Sequence, residues 1–364
     1  MNGGVLQSVE LDDLGAVRIA GADAVRFLQG QLSNDLGRVS PERSVLAGLH
    51  NPQGRTIALL RIVQLAPDDL LALLPRELAA AVASRLSKYV LRAKVKVTDE
   101  SHGWRITGLI ASGLGAVADI HPQAAIAPIA GYPAIAGEQR RLGDALVLCV
   151  GEQPARWLLV APATGAAASG RSASPRDDGL PQTVPAQREI WRQLDIIAGL
   201  PQVYGATSEE FVAQMLNLDV VGAIAFDKGC YTGQEVIARA HYRGRVKRRL
   251  QRFRSRRPLD LRPGDGGELP DGRAFKVVEA VRLDDGRCEF LAVAPLPTAE
   301  PELSAVTQPD AMLERVSAPL AGRPLQGAAA LTRSNVGSPA TGAALHAAVP
   351  AELSTTGAVW APFA

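Results

Sequence analysis

Aromatic residues are scarce, 4% of 364, and the chain holds only three cysteines and five histidines. Cys149, Cys230 and Cys288 lie far apart with no C-x-x-C pair. That spacing fits neither a disulfide framework nor a zinc site, and a reducing cytoplasm is the expected compartment. His50, His102, His121, His241 and His346 are scattered and form no H-E-x-x-H, so no histidine-built metal site is expected. G-x-G-x-x-G after a strand and G-x-x-x-x-G-K-[ST] are both absent, which removes the common dinucleotide and P-loop signatures. No apolar run approaches the ~20 residues that span a bilayer. The opening MNGGVLQSVELDDLG lacks a basic region and an apolar core, so neither a membrane segment nor a signal peptide is expected. Thirty-nine basic residues face 37 acidic ones, a net charge of +2. This balance argues against a polycation that coats nucleic acid over its whole surface.

The length allows two or three domains with a sizeable core. Strand-like runs at 16–19, 44–49, 56–65 and 69–74 precede the clearest helix, 76–91. There Leu78, Val82, Leu86, Tyr89 and Val90 keep helical spacing. Ala93 to Thr98 then alternates as a half-buried strand. Asp23 is a plausible N-cap for a helix carrying Val25, Phe27, Leu28 and Leu32. Asn34 and Asp35 after it are either ligands or helix terminators. Further strands are expected at 104–110, 145–150 and 157–161, and a helix at 187–198 that Gly199 and Pro201 stop. The stretch 164–185 reads as a mobile loop. Short strands at 250–254, 275–278, 279–283 and 288–293, separated by Gly- and Asp-rich turns, suggest a small β-barrel. The segment beyond Pro297 is rich in Ala, Pro, Ser and Thr and is expected to be poorly ordered. Together these patterns predict an α+β protein.

The most informative stretch is FDKGCYTGQEVIARAHYRGRVKRR, residues 226–249. Thr232-Gly233-Gln234-Glu235 reads as a capping box that opens a short helix. Cys230 lies two residues ahead of that box and near Lys228, and both neighbours favour a thiolate. The equally physical alternative is an inert cysteine. Arg239 to Arg257 holds ten Lys/Arg in nineteen residues. Such a run suits RNA phosphates, a glutamate tail or a solvated strand face, and it offers little aromatic interleaving beyond Tyr242 for base stacking.

KGCYTGQE followed by YRG and KRR resembles the signature of the YgfZ family of folate-binding proteins, relatives of the glycine-cleavage T-protein. Phe27 to Asp35, FLQGQLSND, resembles the family's FLQGQxxxD segment, and Gln214-Met215-Leu216-Asn217-Leu218 resembles its PQxxNL segment. The resemblance runs from about Val17 to about Pro297. It implies a T-protein-like arrangement of three domains around a central opening. The expected parts are a discontinuous folate-binding domain (1–48 plus 101–245), a small α+β domain (49–100), a β-barrel (246–297) and a tail (298–364). It further implies a monomer that binds tetrahydrofolate or a related folate. Such a protein would serve iron–sulfur proteins, among them a tRNA methylthiotransferase, in cluster assembly or repair. Cys230 would be the key group, with Lys228, Tyr231, Gln234 and Glu235 shaping its loop. Trp191 would stack on the pterin, Asn34 would contact the ligand, and Arg239, Arg243 and Arg245 would hold anionic parts.

Three positions depart from the pattern. The family's second pocket tryptophan falls at Leu14. T-proteins carry a Gly-Gly-x-x-Asp-Asp run whose first Asp is catalytic, and the matching position is Ala58. A glutamate expected just before the Ala-Gly turn is replaced by Ile197. Proton handling at a folate nitrogen needs an acid or base within reach. An aminomethyltransferase is therefore the disfavoured alternative, and a tRNA-binding module using the basic run is the other.

Overall fold

The apolar runs of the first hundred residues condense into one antiparallel sheet. A computed structural model describes residues 6–111, 131–163, 183–296 and 313–316. In it β2 (Leu14–Ala20), β3 (Val45–His50), β4 (Thr56–Ala66), β5 (Asp69–Pro75) and β6 (Lys96–Asp99) take the order β3-β4-β5-β2-β6. Strand β4 is apolar on both faces because both are covered. Leu60 and Ile62 join a cluster with helices α1 (Ala24–Gln29) and α2 (Arg76–Ser87), while Val63 joins the cluster on the opposite face. Each such Leu or Ile withdrawn from water contributes roughly 1.5–3 kcal/mol.

Helix α2 buries Leu78, Ala79, Val82, Ala83 and Leu86. It stops at Ser87, short of the expected Leu91. The burial that sustains it ends at Leu86, Leu91 is 87% exposed, and the Ser87 hydroxyl turns back to donate to the Ala83 carbonyl at 2.8 Å.

A six-stranded sheet packs against the other face of the first. Its strands are β1 (Leu6–Glu10), β7 (Trp104–Ala111), β8 (Gln139–Leu142), β9 (Ala145–Glu152), β10 (Ala155–Pro162) and β11 (Thr183–Pro185), in the order β11-β1-β7-β10-β9-β8. Among the described residues only β1 and β11 pair in parallel. Helix α3 (Arg188–Ile197) lies on this sheet, with Trp191 and Leu194 in the shared core. The loop expected over 164–185 lies outside the described residues up to 182, and its last three residues are β11.

The third sheet holds β12 (Arg248–Ser255), β13 (Gly266–Glu268), β14 (Ala274–Arg282), β15 (Cys288–Pro295) and β16 (Leu313–Val316), in the order β13-β14-β15-β12-β16. The expected barrel is not closed: among the described residues the edge strands β13 and β16 do not pair with each other. The two strands expected at 275–278 and 279–283 are one strand, broken in register between Val277 and Glu279. Such a bulge re-aims a side chain, and Glu279 ends up only 3% exposed. Most of the expected tail lies outside the described residues, but 313–316 form β16 on β12.

The first sheet joins β2 and β3, both of which begin before position 48, to β4, β5 and β6 after it, and β1 belongs with β7.

Candidate functional site

The three motif segments are brought together by side-chain bonds to backbone. The Ser33 hydroxyl donates to Ala223 O at 2.7 Å and accepts from Gly48 N at 2.8 Å. The Asn34 amide donates to Leu46 O and Gly222 O at 2.7 and 2.8 Å, while its oxygen accepts from Asp35 N. Asn34 is thus used inward and has no donor left for the ligand contact expected of it. The Gln214 amide donates to Ile237 O at 2.7 Å, and the Asn217 amide donates to Leu250 O at 3.0 Å. Asn217 can do so because it takes a left-handed conformation, φ +57°, which Asn tolerates better than most residues. Arg249, next along the strand, pairs with Asp219 through two bonds at 3.0 and 2.9 Å.

Lys228 is also part of this scaffold. Its ammonium donates to Gln29 O and Leu32 O at 2.7 and 2.6 Å, closing the C-terminal end of α1, and lies 5.0 Å from the centre of the Tyr231 ring. Burial pushes its pKa down to about 8, so it remains mostly protonated at pH 7. The sequence suggested Lys228 as a charge partner for Cys230; its bonds run instead to α1. Tyr231 is buried in the same core, and burial pushes its hydroxyl up to about 12.

Helix α4 (Gln234–Tyr242) begins without the expected capping box. Its N-cap is Gly233 at φ +84°, with no side-chain cap. A left-handed cap suits glycine, and space demands it as well: a Cβ there would stand 2.5 Å from Asn51 O and 3.1 Å from Gly54 Cα. The turn at 51–54 therefore lies directly against the start of α4. Gly229 and Cys230 are exposed just ahead of that start, whereas Cys149 and Cys288 are buried. Gln234 is half-buried and Glu235 exposed in the first turn.

The basic run divides into two kinds of residue. Arg252 and Arg254 turn inward onto Glu289, which is completely buried, and Arg249 pairs with Asp219. Arg239, Arg243, Arg245, Lys247 and Arg248 are exposed. Beside them Phe226 and His241 stack with ring centres 3.7 Å apart, and Tyr242 meets both edge-on. Aromatic interleaving is therefore richer than the sequence showed, because Phe226 reaches the patch from 15 residues before His241.

Trp191 is 6% exposed and closely packed. A Cβ on Gly108 would meet its six-membered ring at 2.4 Å, and the Arg156 guanidinium lies 5.0 Å from the ring centre. Trp191 thus sits in the core shared by α3 and the six-stranded sheet. Leu14 and Ile197 are half-buried.

Sequence reasoning missed a polar cluster around α3. Arg156 donates to Asp195 at 2.8 Å, Arg192 donates to Asp13 at 3.0 Å, and the Tyr204 hydroxyl donates to Glu279. Burial raises Asp195 above the usual carboxylate range and pushes Glu279 up to about 7. The available signal was a single charge, Arg61, inside the apolar strand TIALLRIVQLA. Among the described residues no group of three or more His, Cys, Asp or Glu side chains could hold a metal ion, and no helix is long and apolar enough to cross a membrane.

No family model matches the sequence. Among solved structures, the glycine cleavage system aminomethyltransferase T from Bartonella henselae aligns with a TM-score of 0.59 at 14% identity. The alignment covers 80% of this chain and 79% of that one. The chain has the T-protein fold. A heterotetrameric sarcosine oxidase from Corynebacterium sp. U-96 matches 45% of this chain and 78% of its own at 15% identity, but its TM-score of 0.29 is too low to inform the fold. Within this fold Ala58 is completely buried in β4, paired with Leu49. The position where the sequence comparison expects an acid thus carries a methyl group in an apolar cluster.

Proposed function

We propose that this chain is a folate-binding protein of the YgfZ type that has kept the T-protein fold and lost aminomethyl transfer. Its sheets would surround a central opening. The protein would act as a cytoplasmic monomer in assembly or repair of iron–sulfur clusters, and so support tRNA modification indirectly. The observation that carries the reading is Ala58. A T-protein fold with no acid at that position retains a scaffold for a ligand without the group that would move a proton on it.

The residues fit folate only in part. Trp191 and Asn34 are engaged inward, as are Lys228 and Tyr231, which shape the loop from below. Gln234 and Glu235 at the start of α4 and the exposed Arg239, Arg243 and Arg245 remain free to meet polar and anionic groups. Cys230 stands exposed over this rigid base as the reactive or cluster-handling group.

Two experiments test the reading. Calorimetric titration should show saturable tetrahydrofolate binding without glycine-cleavage activity when the partner proteins are added. Cys230→Ala should unfold at the wild-type denaturant midpoint, because the side chain is exposed, yet fail to complement a deletion strain. Full complementation by Cys230→Ala would refute its role.

A second reading, contact with RNA, rests on the Phe226, His241 and Tyr242 ring cluster beside five exposed basic residues. Binding to tRNA that falls steeply with salt and is lost on replacing Arg245, Lys247 and Arg248 would support it.

A further inference from the structure

The stretch that follows α2 joins charge of one sign to exposed apolar side chains. From Leu78 to Thr98 the sequence holds five bases, Arg85, Lys88, Arg92, Lys94 and Lys96, and no acid. Arg85 pairs with Glu209 at 3.2 Å, whereas Lys88, Arg92, Lys94 and Lys96 are exposed. The apolar residues between them divide in two. Val90, Ala93, Val95 and Val97 pack against the core of the first sheet. Leu91 is 87% exposed and Tyr89 47%, and no other large hydrophobic side chain among the described residues is as exposed as Leu91.

A single exposed leucine is ordinary, but this one is held out by a built support. Lys94 N donates to Asp23 Oδ2 at 2.8 Å, and Asp23 N donates to Lys94 O at 3.4 Å. Gly21, at φ +135°, makes that contact possible, since a Cβ there would stand 2.1 Å from Lys94 O. At the other end, Tyr89 N and Val90 N donate to Leu86 O and Ser87 O at 3.0 and 3.2 Å. The loop 88–96 is thus tied at both ends and along its inner side, and Leu91 stays outside while its neighbours Val90 and Ala93 pack inward.

Two side chains are a small anchor for a protein partner, because a standard interface buries about 800 Å² on each side. The adjoining outer face of α2 adds only the small exposed residues Ala80, Ala81 and Ser84. A bilayer surface asks for no complementary shape. An apolar tip enters the headgroup region, a tyrosine suits the interface, and lysine stems lie along apolar surface while their ammonium groups meet anionic headgroups. Three of the four exposed cations are lysines, compact point charges on flexible stems, which suit a diffuse anionic surface better than two-bond recognition of one group. We propose that the loop from Lys88 to Lys96 is a reversible docking site for an anionic lipid bilayer, with Leu91 and Tyr89 entering the headgroup region. The site lies outside the folate reading and uses none of its residues.

The test is co-sedimentation of the full-length protein with vesicles of phosphatidylcholine alone, or of phosphatidylcholine and phosphatidylserine in equal parts. Binding is expected to the mixed vesicles only, and it should fall as salt rises. Lys88→Gln and Arg92→Gln should each weaken it about fivefold. Leu91→Ser should weaken it about tenfold, and Leu91→Phe should keep it. Because Leu91 lies outside the core, Leu91→Ser should unfold at the wild-type denaturant midpoint, which separates lost docking from lost folding. The proposal is overturned if the wild type binds neither vesicle, or if Leu91→Ser or the Lys88→Gln/Arg92→Gln double variant binds the mixed vesicles as wild type does. Binding to soluble polyglutamate or RNA that Leu91→Ser weakens, without binding to vesicles, would assign the loop to a macromolecular partner and overturn it too. Tetrahydrofolate titration of the same variants should match wild type, so the failure of one reading does not touch the other.

Discussion

Glu279 gives the sharpest quantitative test of the architecture. The bulge in β14 drives this carboxyl into the junction with α3, where it accepts from the Tyr204 hydroxyl and from Ala280 N. Burial raises it, the Tyr204 and Ala280 bonds and the Arg192 charge oppose that rise, and Asp195 adds to it. The carboxyl settles at about 7, against an ordinary 4.5. At roughly 1.36 kcal/mol per pKa unit, the folded state disfavours the ionised form by about 3 kcal/mol. The folded pKa is raised, so the stability tied to the neutral carboxyl is complete below pH 4.5 and is lost as pH rises through 7. Most of the loss falls between pH 5 and 8 and amounts to about 2.5 kcal/mol. Glu279→Gln keeps the shape and stays neutral at every pH. Urea unfolding of both proteins at pH 5, 6, 7 and 8 should show wild-type stability falling relative to the variant by about that amount. A difference that does not change with pH would refute the placement of an ionisable carboxyl in this junction.

Lys228→Met removes both carbonyl bonds that close α1 and should lower stability by about 2 kcal/mol, read as a shifted denaturant midpoint; an unchanged midpoint would show that the ammonium does not cap the helix. Gly233→Ala must place a Cβ 2.5 Å from Asn51 O at φ +84°, so a loss of roughly 1–3 kcal/mol is expected, and a melting temperature equal to wild type would contradict that close approach.

Periodicity made the first sheet legible. The runs 56–65 and 69–74 became β4 and β5 almost unchanged, because both strands are buried along most of their length and their apolar residues are continuous. The pattern failed where a long-range contact decides the local structure. Helix α2 ends where its buried stripe ends, although Tyr89 and Val90 continue the spacing. The capping box at Thr232 was sound local chemistry, yet the approach of the 51–54 turn required a glycine at the cap. Strand β14 looked like two strands because its bulge interrupts the alternation. The cluster around Asp195 and Glu279 was invisible for another reason. Its members come from Asp13, α3, Tyr204 and β14, which no local spacing relates.

The same contrast bears on what the motif stretch does. A long, specific run of residues invites the inference that each is a contact for ligand. Asn34, Gln214, Asn217, Lys228 and Arg249 are instead hydrogen-bonded to backbone or to Asp219, fixing one segment to another. Side chains used in this way tolerate little change, since a replacement leaves buried carbonyls or a carboxylate without partners. The signature is therefore specific mainly because it builds a base. On that base Cys230 is exposed and free of packing constraints. A search for chemistry in this fold is better directed at residues whose local rule is broken without a structural gain. Lys228 on a helix end is not such a residue, since it closes α1.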